Sequence, residues 1–476
     1  GTGGGADCSQ VRAQLRDVRR IQTSQSAFAA LCGDGSVICW GDPDRGGDCS
    51  EVQHELRNVQ QIQSTWSAFA AIRADGSVVT WGDPGQGGNC AEVRHKLRKV
   101  KQIQSSWGAF AAILEDGSVV TWGDPDRGGD GHGQVYMVKE IQSAPSGFAA
   151  ILKDGTVRTW GETSSDCSRI HEQLRDVCRI QSCWRAFAAI RSNGSVVCWG
   201  DPDRGGDCST VSDQLYNIQE IQASQSAFAA LRDDGCVVTW GNSSQGGDCS
   251  GVRDELRHVQ QIQSTWSAFA AIRADGSVVT WGDPGQGGNC AEVRHKLRKV
   301  KQIQSSWGAF AAILEDDSVV TWGDPDRGGD GHGQVYMVKE IQSAPSGFAA
   351  ILKDGTVRTW GETSSDCSRI HEQLRDVCRI QSCWRAFAAI RSNGSVVCWG
   401  DPDRGGDCST VSDQLYNIQE IQASQSAFAA LRDDGCVVTW GNSSQGGDCS
   451  GVRDELRHVQ QIQSTWSAFA AIRADG

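Results

Sequence analysis

Three short strand-like runs that contain apolar residues recur along the chain, and residues 50–89 show one complete copy. The runs lie at residues 61–64, 68–72 and 77–82. The first run places Ile62 between polar residues, and the other two are short apolar-rich runs next to turn residues. Runs of this kind, about 4–8 residues long, predict β-strands. The Asp75-Gly76 pair between the second and third runs is typical of a tight hairpin turn. The pattern therefore predicts a three-stranded antiparallel unit in each copy.

The segment before the first run has a different spacing. Val52, Leu56 and Val59 fall at positions i, i+4 and i+7, which places them on one stripe of a helix. Ser50 and Gln53 have the spacing of a capping box. We expect one helix of about eight residues per copy, which is stable only when it docks against neighbouring residues.

The whole block recurs twelve times, and a single phenylalanine marks each copy. These residues are Phe28, Phe69, Phe110, Phe148, Phe187, Phe228, Phe269, Phe310, Phe348, Phe387, Phe428 and Phe469. Their spacings are 41, 41, 38, 39 and 41 residues before the series repeats, which gives a superperiod of 200 residues. Residues 59–250 match residues 259–450 except that Asp317 replaces Gly117, at a turn where a Cβ is expected to strain the backbone. A fixed period of this length predicts a solenoid, a propeller or an array.

We therefore expect residues 1–476 to form twelve tandem repeats, grouped by five and cut within a block at both ends. The expected fold is mostly β, with propeller-like blades of antiparallel strands and one short helix per block of about 41 residues. Two architectures are compatible with this pattern. One consists of closed propellers, either two in tandem or one complete and one partial. The other is an open superhelical β array, which gains length freely by adding blocks.

The composition of the chain disfavours nucleic acid and the membrane interior as its surroundings or partners. Hydrophobic residues make up 38% of the chain, which suits many small cores shared between neighbouring blocks. The net charge of −13 argues against broad electrostatic binding to nucleic acid. No apolar run approaches the roughly 20 residues of a membrane-spanning helix. The basic run 94–101 is interpreted as a solvated helix face, with an anion site as the alternative.

The constant residues of the block resemble the repeat of the regulator of chromosome condensation family. The matching residues are Ile62, Ala70-Ala71-Ile72, Asp75-Gly76-Ser77-Val78, Trp81-Gly82 and Gly87-Gly88. The resemblance covers nearly all of each block. It implies a β-propeller, usually of seven four-stranded blades. It also implies a role as an exchange factor for small GTPases, a substrate-binding module of a ubiquitin ligase or a protein inhibitor.

The chain also departs from that pattern. Thr65-Trp66 and Ala68 stand where the family carries glycine and histidine before its second strand. Twelve blocks do not divide into rings of seven. The residues supply neither an exchange-factor wedge nor a ligase catalytic domain, so the resemblance supports a binding role without those activities.

Three tryptophans occupy a position that varies from block to block. Trp66, Trp107 and Trp184 stand where other blocks have Gln25 or Pro145. A variable position is expected at a surface or at a contact between blocks. The two readings are a partner-binding face, for which exposed tryptophan is well suited, and packing against the next block.

Ten of the 20 cysteines stand at one position of the block, just before the expected helix. Those at Cys49, Cys90, Cys208 and Cys249 are candidates for disulfides between neighbouring blocks, or else small buried apolar residues. The cysteine content and the glycosylation sequons at Asn193 and Asn242 favour an extracellular location.

Few residues in the sequence are arranged as a catalytic site or a metal site would require. Asp42, Asp44 and Asp48 lie in a glycine-rich loop and form the one weak calcium candidate, although turn chemistry explains the loop without a metal. The nine histidines stand in no arrangement with a nucleophile and an orienting acid. We therefore expect no catalytic residue, no metal and no cofactor.

The sequence thus favours a non-catalytic scaffold built from tandem repeats. Its expected partner is another protein or a second copy of the chain, in the latter case as a filament or assembly subunit. The alternative is a protein-binding propeller module of a larger protein, with a substrate-recognition or exchange-factor-like role.

Overall fold

The computed structural model describes residues 14–15, 17–131, 135–162, 170, 172–330, 335–362, 370, 372–450 and 456–474. These residues form a mostly β repeat protein of propeller-like blades. Eleven sheets contain three antiparallel strands and the twelfth contains two. Each sheet takes its strands from consecutive positions in the chain, so hairpins make every connection within a blade. The predicted fold class is confirmed, with blades of three strands rather than the four that the family resemblance implies.

The chain forms two compact units. The first comprises Gly1–Arg175 and Ile418–Gly476, and the second comprises Asp176–Asn417. Among the described residues, each unit contains six of the twelve sheets. The choice between closed rings and an open array remains a prediction.

The strands have the following bounds. The first unit begins with β1 (Val18–Thr23), β2 (Ala27–Cys32), β3 (Val37–Gly41), β4 (Val59–Ser64), β5 (Ala68–Arg73), β6 (Val78–Gly82), β7 (Val100–Ser105), β8 (Ala109–Leu114), β9 (Val119–Gly123), β10 (Val138–Ala144), β11 (Gly147–Leu152) and β12 (Val157–Gly161). The second unit contains β13 (Val177–Ser182), β14 (Ala186–Arg191), β15 (Val196–Gly200), β16 (Ile218–Ala223), β17 (Ala227–Arg232), β18 (Val237–Gly241), β19 (Val259–Ser264), β20 (Ala268–Arg273), β21 (Val278–Gly282), β22 (Val300–Ser305), β23 (Ala309–Leu314), β24 (Val319–Gly323), β25 (Val338–Ala344), β26 (Gly347–Leu352), β27 (Val357–Gly361), β28 (Val377–Ser382), β29 (Ala386–Arg391) and β30 (Val396–Gly400). The first unit ends with β31 (Ile418–Ala423), β32 (Ala427–Arg432), β33 (Val437–Gly441), β34 (Val459–Ser464) and β35 (Phe469–Arg473).

Short 3-10 helices occupy the loops between blades. They lie at Pro43–Arg45, Ser50–Val52, Pro84–Gln86, Pro125–Arg127, Pro202–Arg204, Ser209–Val211, Ser243–Gln245, Ser250–Glu255, Pro284–Gln286, Pro325–Arg327, Pro402–Arg404, Ser409–Val411 and Ser443–Gln445. No helix in the described part of the chain is long and apolar enough to cross a membrane.

The strand predictions are confirmed in the block that supplied them. The three predicted runs become β4, β5 and β6. The predicted turn forms because the Asp75 carboxylate accepts a hydrogen bond from the Ser77 amide at 2.9 Å and Gly76 adopts a φ of 75°. Both features are local in sequence, which is why sequence alone predicts this hairpin.

The helical stripe takes a different form. The segment holds a three-residue 3-10 helix, Ser50–Val52, and Val59 is the first residue of β4 rather than the end of a helix. Asn58 has a φ of 54°, a left-handed conformation that no α-helix continues through. The Asp48 carboxylate accepts a hydrogen bond from the Ser50 amide at 2.8 Å, so the capping side chain lies two positions before the Ser50 of the expected box. Leu56 is nevertheless fully buried.

Small residues of one blade pack against large residues of the next. Side chains alternate between the two faces of a strand. Ala68, Ala70 and Ile72 on one face of β5 share a buried cluster with Phe110 and Trp122 of the following blade. The alanines leave the room that these two rings fill.

The opposite face of β5 completes the arrangement. Phe69 and Ala71 share a cluster with Ala27 and Ala29 of the preceding blade. Each blade therefore presents alanines on one face and an aromatic pair on the other, and this asymmetry fixes the order of stacking.

The aromatic pair also explains a required glycine. Phe69 stacks on Trp81 with ring centroids 5.3 Å apart, and Trp81 Nε1 donates to the Gly46 carbonyl of the preceding loop at 3.0 Å. Gly46 has a φ of 92°, and a Cβ there would lie 2.5 Å from the Phe69 ring. Only glycine satisfies both the left-handed backbone and this close approach.

The first unit joins two segments that are distant in sequence. Ala468 and Ile472, from the last block, share a buried cluster with Phe28 and Trp40 of the first block. These contacts use the same faces that pack between consecutive blades.

Candidate partner-binding surface

The loop between the first and second strands of a blade turns one side chain outward. In the block of β4 and β5, Thr65 and Ser67 are buried, whereas Trp66 between them is 41% exposed. The Thr65 amide donates to the Ala68 carbonyl at 2.9 Å, and its hydroxyl donates to the Gln86 carbonyl at 3.0 Å. The flanking residues thus anchor the loop and leave the tryptophan at the surface.

Backbone hydrogen bonds join this position across three successive blades. The Gln25 amide donates to the Trp66 carbonyl, and the Trp66 amide donates to the Trp107 carbonyl, both at 3.0 Å. The Trp66 and Trp107 rings stack with centroids 4.6 Å apart and an interplanar angle of 21°. Both readings of this position are therefore present together, because Trp66 packs against the next blade and remains exposed.

A third ring extends the pair in the first unit. Trp466 is 50% exposed, and its ring centroid lies 6.3 Å from that of Trp66. We call Trp66, Trp107 and Trp466 the first tryptophan edge.

The second unit contains an edge of the same kind. The Trp266 and Trp307 rings stack at 4.2 Å, and Trp307 meets Trp384 edge to face at 5.4 Å. We call these three residues the second tryptophan edge. Trp184 occupies the same loop position in this unit and is 41% exposed.

Arginines from the 3-10 turns flank some of these rings. The Arg127 guanidinium lies 5.5 Å from the centroid of the Trp107 ring, and Arg327 lies at the same distance from Trp307. The position equivalent to Arg127 in the Trp66 block is the uncharged Gln86. Each edge thus combines stacked indoles with a guanidinium, a composition enriched in the energetically important parts of protein interfaces.

Sequence reasoning identified the tryptophans and missed their arginine partners. Arg127 lies 20 positions after Trp107, and only the fold of the intervening hairpin brings the two together. Exposed Tyr136, Met137 and Tyr216 were also missed. Their one sequence signal is a bulky apolar residue one or two positions before a first strand, where the block of β4 has Arg57 and Asn58.

The candidate disulfide cysteines separate into two groups. Cys49 pairs with Cys39, and Cys208 pairs with Cys198; the copy of the latter bridge joins Cys398 to Cys408. Each bridge links the third strand of one blade to the segment entering the next, with Cα atoms 5.9 Å apart.

Cys90 and Cys249 form the other group and are buried free thiols. In their blocks the third strand carries Thr80 and Thr239 where the bridged blocks carry cysteine. Burial raises the pKa of Cys90, and a hydrogen bond from Thr80 opposes that rise. Cysteine in the third strand, rather than before the turn, therefore decides where a bridge forms.

The calcium candidates serve the turn that contains them. The Asp42 carboxylate accepts a hydrogen bond from the Asp44 amide at 3.1 Å and pairs with Arg45 at 3.4 Å, while Asp48 caps the next turn at Ser50. The part of the chain that the structure describes contains no group of three or more His, Cys, Asp or Glu residues placed to hold a metal ion.

The two sequon asparagines lie in turns as well. Asn193 Oδ1 accepts a hydrogen bond from the Ser195 amide at 3.0 Å, and Asn242 Oδ1 accepts one from the Ser244 amide at 3.1 Å. An extracellular location remains a prediction.

Comparison with known proteins gives distant likenesses of fold. No protein-family model matches the chain, and no curated protein matches it significantly. The ectodomain of the receptor kinase CR4 from Physcomitrella patens has a TM-score of 0.31 and 14% identity, covering 55% of this chain and 71% of that chain. Prp20p from Saccharomyces cerevisiae has a TM-score of 0.28 and 17% identity, covering 66% of this chain and 74% of its own.

Human WBSCR16 is similar at a TM-score of 0.25 and 14% identity, covering 63% of this chain and 84% of its own. Prp20p, the yeast RCC1, and WBSCR16 are RCC1-like β-propeller proteins.

Proposed function

We propose that the chain is a non-catalytic scaffold that binds a protein partner through its first tryptophan edge. The observation that supports this proposal most directly is the first edge, where Trp66 and Trp466 remain 41% and 50% exposed. Large aromatic side chains bury much apolar area on binding and lose little conformational entropy. Their exposure therefore favours a role in association.

The way the loops are held supports the same proposal. Trp66 is fixed by a backbone hydrogen bond on each side and by stacking on Trp107. A preorganised surface loses less entropy when a partner binds. The edge is thus a rigid platform, and a partner that lays apolar groups across the rings would displace water at little ordering cost.

The experiment replaces Trp66, Trp107 and Trp466 together by glutamine, the residue that the chain itself places at Gln25. Proteins cross-linked to the wild-type chain in native extract are identified, and the affinity of each purified candidate is then measured for both forms. We expect the triple variant to lose the partner by at least about tenfold in Kd with its thermal midpoint lowered only slightly.

The matched control is Tyr216→Ala, which removes an exposed aromatic residue that belongs to neither edge. It is expected to leave binding intact. A partner that binds the triple variant as tightly as the wild type contradicts the proposal.

The same edge is suited to contact between two copies of the chain, which is the assembly form of this proposal. Sedimentation velocity distinguishes the two, because a self-associating chain sediments faster with rising concentration and the triple variant does not.

A further inference from the structure

Two lysines hold a carboxylate between them in the second unit. Lys301 Nζ lies 2.5 Å from Asp317 Oδ1, and Lys353 Nζ lies 2.5 Å from Asp317 Oδ2. Lys301 lies on β22 and Lys353 directly follows β26, so the carboxylate joins two successive blades. The hydrogen bonds from the two ammonium groups lower the pKa of Asp317 to about 2, since they favour the charged form. The position is therefore a clamp for one carboxylate.

The first unit contains the same two lysines without the aspartate. Lys101 and Lys153 stand at the equivalent positions, and Gly117 replaces Asp317. Both lysine side chains are exposed. This is the single difference between residues 59–250 and 259–450, so the chain itself provides the comparison.

The backbone that positions the clamp is the same in both units. The carbonyls of Gly117 and Asp317 each accept a hydrogen bond from the first residue of the next blade at 2.9 Å. The amides of Lys153 and Lys353 each donate to the preceding loop at 2.7 Å. Gly117 has a φ of 78° and Asp317 a φ of 62°. Lys101 and Lys153 thus start from the positions that hold the carboxylate in the other unit.

The acidic residues next to these positions are used in their own turns. The Asp116 carboxylate accepts a hydrogen bond from the Ser118 amide at 2.8 Å. The Asp154 carboxylate accepts one from the Thr156 amide at 2.9 Å and one from its hydroxyl at 2.7 Å. Neither occupies the place that corresponds to Asp317 Oδ1 and Oδ2.

We propose that Lys101 and Lys153 form a binding site for an aspartate or glutamate carboxylate on an acidic segment of a partner protein. The bound group takes the place that the Asp317 carboxylate has in the second unit. Two charge-assisted hydrogen bonds hold it, and added salt weakens them. The site does not involve the tryptophan edges. The proposal of a carboxylate site is therefore tested independently of the proposed function.

The test uses the full chain and a fluorescein-labelled acetyl-Gly-Asp-Gly-Asp-Gly peptide, with anisotropy measured at low ionic strength. Gly117→Asp closes the site with a tethered carboxylate, as in the second unit. Asp317→Gly removes the tethered carboxylate from the second unit and so creates a second open lysine site, equivalent to the one in the first unit. Each substitution reproduces a residue that the other copy already carries, so folding is maintained.

We expect the wild type to bind one peptide and Gly117→Asp to bind it at least about tenfold more weakly. Asp317→Gly is expected to bind two peptides, and Lys101→Gln with Lys153→Gln is expected to bind none in the first unit. Absence of saturable binding by the wild type overturns the proposal. So does binding that Gly117→Asp leaves unchanged, or an Asp317→Gly variant that gains no second site.

Discussion

The packing between blades and the tryptophan edge both use aromatic rings, but the rings have opposite roles. Phe69 and Trp81 are buried between two blades and contact alanines of the preceding one. Trp66 belongs to the same blade, yet its ring stacks on Trp107 at the surface and the residue is 41% exposed. Burial of an aromatic ring stabilises the fold, whereas an exposed ring retains its apolar area for association. The interior should therefore determine stability and the edge should determine binding.

The largest expected effect on stability comes from removing a buried ring between two blades. Phe69→Ala removes a fully buried ring and leaves a cavity, which should lower the free energy of unfolding by about 3–5 kcal/mol. Urea denaturation combined with hydrogen exchange of β5 measures the loss. The substituted peptide has its own mass and is thus distinguishable from its copies in β20 and β35.

The matched variant is Phe269→Ala, whose ring lies in the corresponding cluster of the second unit. It should reduce protection there and leave β5 protected. A cost below about 1 kcal/mol for either variant would show that the interior is not the stabilising region.

A second prediction adds a bridge at a position that now holds a threonine–cysteine pair. Thr80→Cys should form a disulfide with Cys90, because the two positions correspond to Cys39 and Cys49 in the preceding blade. Closing a loop of this size should stabilise the unit by about 2–3 kcal/mol. Thiol titration and thermal unfolding with and without reductant check both points, with Thr80→Ser as the control. An unchanged thiol count after oxidation contradicts it.

The third prediction concerns the edge itself. Trp66→Gln loses the stack on Trp107, which should cost about 0.5–1.5 kcal/mol, well below the cost of Phe69→Ala. Thermal unfolding of the two variants side by side gives the ratio. If the costs are equal, the edge is part of the core and the distinction between the two regions fails.

The smallest effect is a pH dependence at Asp317. Its pKa is lowered from 3.8 to about 2 in the folded state, so the paired carboxylate contributes stability above the unfolded pKa. That contribution is lost as the pH falls from about 4 through about 2. The thermal midpoint of the wild type should therefore fall more steeply over this interval than that of Asp317→Gly. Parallel curves for the two proteins would exclude a stabilising role for the two lysine contacts.

Features coded by neighbouring residues were predicted correctly. The three strands follow from short apolar-rich runs next to turn residues, and the hairpin follows from Asp75-Gly76, since both signals act over a few residues. The predicted helix is replaced by a 3-10 turn that leads into β4. The spacing of Val52, Leu56 and Val59 is compatible with either structure. The left-handed Asn58 decides between them, and an asparagine's φ is not evident from sequence.

The candidate surface was predicted in part for the same reason. Variation between blocks identified Trp66 and Trp107, but the stack between them depends on the distance between blades. The partner of Cys49 is Cys39, ten positions earlier, and the contact between them depends on how the loop returns over β3. These pairings are made by packing, which acts between residues that local patterns do not connect.

The sequence by itself determined the extent of the repeated block, the number of strands in each block and the twelve-fold repetition. Each of these depends on a short local pattern that recurs along the chain. Only the tertiary structure decided that alanines of one blade receive the rings of the next and that the tryptophans of neighbouring loops stack. It also decided that Lys301 and Lys353 meet at Asp317, whereas Gly117 at the equivalent position has no carboxylate for Lys101 and Lys153. Such contacts depend on distances between blades, and packing sets those distances through the fit of complete surfaces.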